Sequence, residues 1–433
     1  MNKTNRSQRG NARVNRPERT QVEMQFLSLD QWLDKEHRVR IVWDYVDSLD
    51  LSELYQSIQA VDGKVGRNAV DPAILFALWL AATLEGISSA RRLAELTTRD
   101  IPYMWLCGGV SVNYHLLSDF RVNHGELLER LMIDSIAVLM HQKLVTLDTL
   151  AQDGMRVRAS AGTDTFRREE SLQQAHRQAS EHLEKLKAEH EADPGGENRR
   201  KQAAQQRAAR ERKERIEQAQ EELQKLQQSR QKLKRESESC RVSTTDPEAR
   251  RTKMGHGGFQ PALNVQFVTD ADTRLIVGVD VTSTPSDSGQ MDPMRCRVGA
   301  NYGTVPSSYL IDGGYVTIDD ITAAEQSGTQ VYAPLPNEKK QLQSGNDPYA
   351  PKARDSEQMS AFRARMGTPE AKEVYKQRPS IAEFPNADCR NRGLHQFRVR
   401  GCVKAKAQTL WHVLAFNFLR MKHLNFLETI MSV

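Results

Sequence analysis

The sequence predicts a mixed α/β core that carries a helical insertion and follows an all-α region. Three observations point there. Apolar residues from about Leu27 to Leu144 recur in helix-length runs without strand alternation. Residues 165–240 switch to Glu, Gln, Lys, Arg and Ala with almost no aromatics. Segments that read as strands flank this charged stretch, at VTLDTLAQDG from Val145 to Gly154 and again from Leu263. A chain of 433 residues has room for two or three such units.

Taken in order, residues 1–26 form a basic arm, with Lys3, Arg6, Arg9, Arg13, Arg16 and Arg19 against Glu18 up to Gln21. Either a segment that settles on phosphates or a solvated tail fits it. Residues 27–144 are predicted to be a helical, DNA-binding unit. Asp71 and Pro72 cap a helix running through ILFALWLAATLEG to Gly86. Ser88 and Ser89 cap a second, carrying Arg91, Arg92 and Arg99, and HLLSDFRVNHG carries Arg121 and His124. Such short helices permit a helix-turn-helix, as they permit an ordinary bundle.

Residues 145–164 open the core, and 165–240 interrupt it as a helical hairpin. Ala179, Leu183, Leu186 and His190 repeat at three- and four-residue steps, as do Ala209, Arg212, Ile216, Ala219, Leu223, Leu226, Arg230 and Leu233. That is a coiled-coil seam. Asp193-Pro194-Gly195-Gly196 supplies the turn; assembly, DNA contact and a plain spacer all remain open as its role. Residues 241–433 complete the core. LNVQFVTD from Leu263 and TRLIVGVDVTS from Thr273 form a β-hairpin, a helix spans about Ser288 to Val298, SSYLIDGGY adds a short strand, and helices close the chain from Glu370.

Hydrophobic residues are 38% and charged residues 27%, and no window approaches the ~20 apolar residues of a spanning helix, so no membrane partner is expected. The net charge of +5 is mild but clustered, which favours a polyanion. Cys107, Cys240, Cys296, Cys389 and Cys402 are too scattered for a zinc knuckle or a disulfide framework. A reducing cytoplasm is expected, since no apolar stretch follows the N-terminal charges as a secretory signal requires.

Two carboxylates stand out. Asp153 in LAQDGMRVRAS and Asp312 in YLIDGGY are each predicted to close an apolar strand with glycine next, where a metal site is often built. Turn chemistry accounts for most rivals: Asp148, Asp270, Asp272, Asp280, Asp287, Asp319 and Asp320. A third acid, Glu383, follows Tyr375 and Arg378 and precedes Arg390 by seven residues, one helical face if Pro379 and Pro385 allow a helix. Arg390, Arg392, Arg398, Arg400, Lys404 and Lys406 then make a dense basic stretch with only Asp388 against it.

With TTDPEARRTK, ALNVQFVTD, TPSDSGQMDPM and YLIDGGY in that order, and RVRGCVKAKAQTLWHVLAFNFLRM after Glu383, the chain resembles the DDE transposases of bacterial insertion sequences. The branch is the one with a Tyr-Arg-Glu-Lys signature; Arg390 stands where that signature has lysine and keeps the charge. The resemblance implies an RNase H-like core in which Asp153, Asp312 and Glu383 are catalytic and hold Mg²⁺ or Mn²⁺. Tyr375, Arg378, Arg390, Arg398, Arg400 and Lys404 would contact DNA phosphates. The implied activity is cleavage of double-stranded DNA at transposon ends and joining of 3′-OH ends to target DNA, by a homodimer in the cytoplasm at the nucleoid. The rivals are a metal-dependent nuclease that does not join strands, and an inactive DNA-binding or coiled-coil scaffold.

Overall fold

The computed structural model describes residues 19–20, 24, 26–61, 68–192, 199–232, 234, 236–255 and 257–432. Nearly all of the basic arm and the Pro-Gly-Gly turn therefore lie outside the described residues. Among the described residues eight helices come first: α1 (Leu29–Trp32), α2 (Arg38–Asp47), α3 (Ser52–Gln56), α4 (Pro72–Leu84), α5 (Ala90–Leu96), α6 (Ile101–Cys107), α7 (Tyr114–Asn123) and α8 (Gly125–His141). Helix α4 starts as expected, with the Asp71 carboxylate accepting from the Ala73 N–H and Pro72 in the first turn. Every one of its residues is buried, so it is the centre of the helical layer rather than a one-faced surface helix.

The chain then enters β1 (Thr149–Arg158) and β2 (Phe166–Arg167), followed by two long helices, α9 (Glu169–Ala192) and α10 (Arg199–Lys232). These helices pack antiparallel, since Gln227 reaches Glu169, His176 reaches Glu217 and Gln206 reaches the Leu186 carbonyl. Leu172, Ala179, Ile216, Ala219 and Leu223 are buried between them. The period is the expected one, but Arg212 departs from the seam and is exposed. A guanidinium there would be desolvated without a partner, so it turns outward.

Next come β3 (Val242–Ser243), β4 (Arg250–Lys253), β5 (Phe259–Asp270), β6 (Ile276–Thr282), α11 (Met291–Tyr302), β7 (Ser308–Leu310), α12 (Ile318–Gln326) and β8 (Gln330–Tyr332). Helices α13 (Glu338–Gln343), α14 (Glu357–Met366), α15 (Pro369–Tyr375), α16 (Phe384–Asn391), α17 (Cys402–His423) and α18 (Leu427–Met431) close the chain. Strand β1 pairs antiparallel with β5 and parallel with β7; β5 pairs antiparallel with β6, and β7 parallel with β8. The spatial order β6-β5-β1-β7-β8 is an RNase H-like sheet. β4 pairs with the start of β5 on the β6 side, and β2 and β3 form a small separate ribbon at the base of α9 and α10.

Helix α17 ties the layers together. It packs on α4, α7 and α8 on one side and on β6 on the other, and a single apolar core runs through all of them. Its Asn417 amide donates to the Ile276 carbonyl and accepts from the Ile276 N–H, at 2.8 and 2.9 Å, so a side chain pairs with the β6 backbone. That satisfies backbone groups which would otherwise be stranded beneath the helix. Among the described residues no helix is long and apolar enough to cross a membrane.

Candidate active site

Asp153 does not close its strand. β1 continues to Arg158, paired with β5 throughout, whereas β7 covers its other edge only from Thr149 to Ala151. The edge of β1 opens just before Asp153, because β7 stops at Leu310 and the chain turns away. Asp312 lies two residues beyond Leu310, the last residue of β7 to pair with β1, and caps the turn that follows, so both glycine-flanked acids sit just past the end of that pairing.

The open edge is filled by the segment after α15. A wide π-helical turn, Pro379–Glu383, leads directly into α16, so the helix survives both prolines. Each proline sits in the first turn of its segment, where a missing N–H costs little. From this turn Arg378 reaches inward: Nη2 donates to Asp153 Oδ1 at 2.9 Å and to the Gln152 carbonyl at 3.4 Å. Its Nη1 lies 3.9 Å from Glu383 Oε1. Asn386, three residues past Glu383, donates to Asp153 Oδ2 at 2.7 Å.

Burial pushes the Asp153 carboxyl upward, while Arg378 and the hydrogen bonds from Gly154, Arg378 and Asn386 draw it down; burial wins. Burial also pushes the Tyr375 phenol up to about 12, opposed by Arg378 and reinforced by Asp312, Asp153 and Glu383. All three carboxylates act electrostatically on this phenol, while Arg378 links only Asp153 and Glu383 directly. Glu383 is 62% exposed, and Asp312 is exposed with its carboxylate accepting from the Gly313 N–H.

The donors suit a hard cation, being carboxylate oxygens with the buried, unpartnered Oδ1 of Asn386 beside them. Among the described residues, however, no three acidic, His or Cys side chains stand together as a ready ligand set. The Arg378 guanidinium lies between Asp153 and Glu383. Arg378, expected to face phosphate, is therefore turned inward and only 6% exposed. Arg390 is exposed on α16, seven residues past Glu383.

Arg398, Arg400 and Lys404 are not at this site. They line a separate cleft of about 840 Å³ between α7, α10 and the segment before α17. The basic stretch looks almost unopposed in sequence, but Glu211, Glu214, Glu221 and Glu222 of α10 line the same cleft. Arg121 is likewise turned inward, donating to the Ser88 carbonyl with its guanidinium 5.0 Å above the Trp79 ring, so it is not available to DNA.

Behind Asp153, on the opposite face of β1, lies a polar network that sequence reasoning missed. Gln152 Nε2 donates to Gln266 Oε1 at 2.8 Å, Tyr309 donates to Gln152, and Tyr315 donates to Gln266. Gln266 and Asn264 both donate to Asp287 at 2.9 Å, and Arg156 pairs with its other oxygen at 2.7 Å. Gly154 makes this packing feasible: a Cβ there would stand 2.4 Å from Asp287 Oδ1 and 2.6 Å from Gln266 Nε2. The available signals were the glycine after Asp153 and the alternation of Asn264 and Gln266 along β5.

A family model described as a transposase domain (DUF772) matches residues 27–123, and one described as a transposase DDE domain matches residues 231–418. Together they span about two thirds of the chain. The second begins downstream of β1, so Asp153 lies outside it and joins the site through the sheet. No curated protein and no solved structure matches the chain. From an RNase H-like sheet and from these two matches, the chain belongs to the DDE transposases of insertion sequences.

Proposed function

We propose that this transposase binds the ends of its insertion sequence as double-stranded DNA, cleaves strands there and joins the freed 3′-OH ends to target DNA. The observation supporting this is the Arg378 guanidinium set 2.9 Å from Asp153 and 3.9 Å from Glu383, beside a Tyr375 phenol on which Asp312 also acts electrostatically. These three carboxylates would hold Mg²⁺ or Mn²⁺, for which their oxygens are the right donors. When bound, such ions supply charge neutralisation, acidification of the attacking oxygen and stabilisation of the leaving 3′ oxygen. Arg378 and Asn386 fix both oxygens of Asp153, so the carboxylate is oriented before DNA arrives. Tyr375 stays protonated at neutral pH and serves as a hydrogen-bond donor to a phosphate oxygen, not as a base. Arg390 extends from the exposed face of α16 toward an adjacent phosphate.

Exchange of one phosphodiester for another is close to isoenergetic, so joining requires no nucleotide cofactor. End recognition falls to the N-terminal helices, where Arg91, Arg92 and Arg99 are exposed. Two ends must meet, so a homodimer on DNA at the cytoplasmic nucleoid is the working assembly. The test is incubation of the purified chain and its Asp312→Asn variant with Mg²⁺ and DNA carrying the element's own ends. Joined products from the wild type alone are expected. Nicking without joining would replace this reading with a nuclease, and equal inactivity of both proteins would leave a scaffold.

A further inference from the structure

A second basic site lies at the base of the α9–α10 pair, where a pocket of about 500 Å³ is lined by Arg167, Arg212, Arg215 and Arg400. These arginines come from β2, from α10 and from the loop before α17, so only the folded chain assembles them. No carboxylate is among the described residues that line it; the rest of the wall is mostly Ser, Thr and Gln. Arg167, Arg212 and Arg400 are exposed and make no ion pair or side-chain hydrogen bond with described residues. Arg215 has only a loose partner, Glu211 at 3.9 Å. Burial lowers its proton affinity and the charges of Arg400 and Arg212 lower it further, despite Glu211. Four like charges held together with only Glu211 and Glu214 acting against them at Arg215 are unfavourable until an anion arrives.

We propose that this pocket is a phosphate-backbone site for duplex DNA, through which the hairpin grips DNA away from the point of cleavage. This rests on the reading of DNA as substrate. The pocket shares Arg215, Thr245 and Arg400 with the larger cleft beside it, so it opens into a groove and is not a closed cup for a small ion. Five residues of β1, roughly 17 Å, separate Asp153 from Arg158, which bonds to Gln396 just ahead of Arg400. Each arginine fork can engage one phosphate in bidentate fashion.

The test measures binding of the full chain to a labelled 40-base-pair duplex of arbitrary sequence across a salt series. For the Arg167→Ala/Arg212→Ala double variant, a salt slope shallower by roughly 1.8 is expected, at ~0.9 per lost contact, with at least about tenfold weaker binding at moderate salt. The Arg167→Lys/Arg212→Lys variant should recover most of the slope, and all forms should melt alike, separating charge loss from misfolding. Wild-type slope and affinity in the alanine variant would overturn the pocket while leaving DNA as substrate intact. A wild type that fails to bind duplex would overturn the substrate reading itself. Loss of inorganic phosphate binding in the variant with duplex binding unchanged would make this a small-anion site and overturn the proposal.

Discussion

The neighbourhood of Asp153 and the pocket at the base of α9 and α10 treat charge in opposite ways. At Asp153 the ionic groups face each other: Arg378, 6% exposed, is held between Asp153 and Glu383, and Asn386 takes the remaining Asp153 oxygen. At the pocket, no carboxylate is among the described lining residues and Arg215 has only the loose contact with Glu211. The difference teaches that a group which must keep its orientation is satisfied internally, whereas a group which must capture a polyanion is left unsatisfied. The first arrangement supports folding and reactive geometry; the second keeps binding energy in reserve.

The comparison breaks most visibly through activity. Asp153→Asn keeps the side-chain shape and one of its two acceptor oxygens and should lower metal-dependent nicking at least ~10³-fold, as expected when a charge central to transition-state stabilisation is lost. Gel assays of strand cleavage under single-turnover conditions check this; activity within tenfold of wild type would remove Asp153 from the chemistry. Next in size, Arg378→Ala should destabilise the protein by about 3 kcal/mol, the low end for a broken buried pair because Asp153 retains some exposure. Arg212→Ala should stay within about 0.5 kcal/mol of wild type. Urea denaturation of both variants side by side tests whether the two regions differ as described.

Gly154→Ala probes the packing behind Asp153. The added Cβ would meet Asp287 and Gln266 well inside van der Waals contact, so a cost of about 2 kcal/mol and reduced cleavage are expected, read from melting and gel assays. A further prediction concerns pH near the arginine pocket. Asp246 is buried at the ribbon base, accepts from the Gly401 N–H, and is pushed up to about 6 chiefly by burial. A raised carboxyl means that the folded state holds the proton more tightly than the unfolded chain. Its contribution is therefore full below about pH 4 and lost as pH rises through about 6. Compared with Asp246→Asn, the wild type should lose stability between pH 4 and 6 and run parallel above; melting curves across that range check it.

Much of the framework is legible in the linear chain because the signals are local. Asp71-Pro72 marks the start of α4, the alternation from Leu263 and Thr273 marks β5 and β6, and three- and four-residue steps mark the contact between α9 and α10. The errors have a common origin. Asp153 reads as a strand terminus because glycine follows it, but antiparallel pairing with β5 carries β1 five residues further. Arg121 and Arg378 read as solvent-facing cations because nothing in sequence announces the Trp79 ring or the Asp153 carboxylate waiting for them. Arg398 and Lys404 read as unopposed because their glutamate neighbours lie nearly two hundred residues away in α10.

The amino-acid order alone therefore determined which segments are helical, which alternate, where the long insertion interrupts the core, and which acids carry a glycine beside them. Tertiary structure decided which charges meet. The β1–β7 pairing stopped just short of Asp153 and Asp312, a widened helical turn delivered Arg378 between two carboxylates, and the closure of the ribbon gathered arginines from β2, α10 and the loop before α17. Periodicity and capping act over a few residues and are written locally, whereas the energy of a charge depends on the burial and partners that distant segments provide.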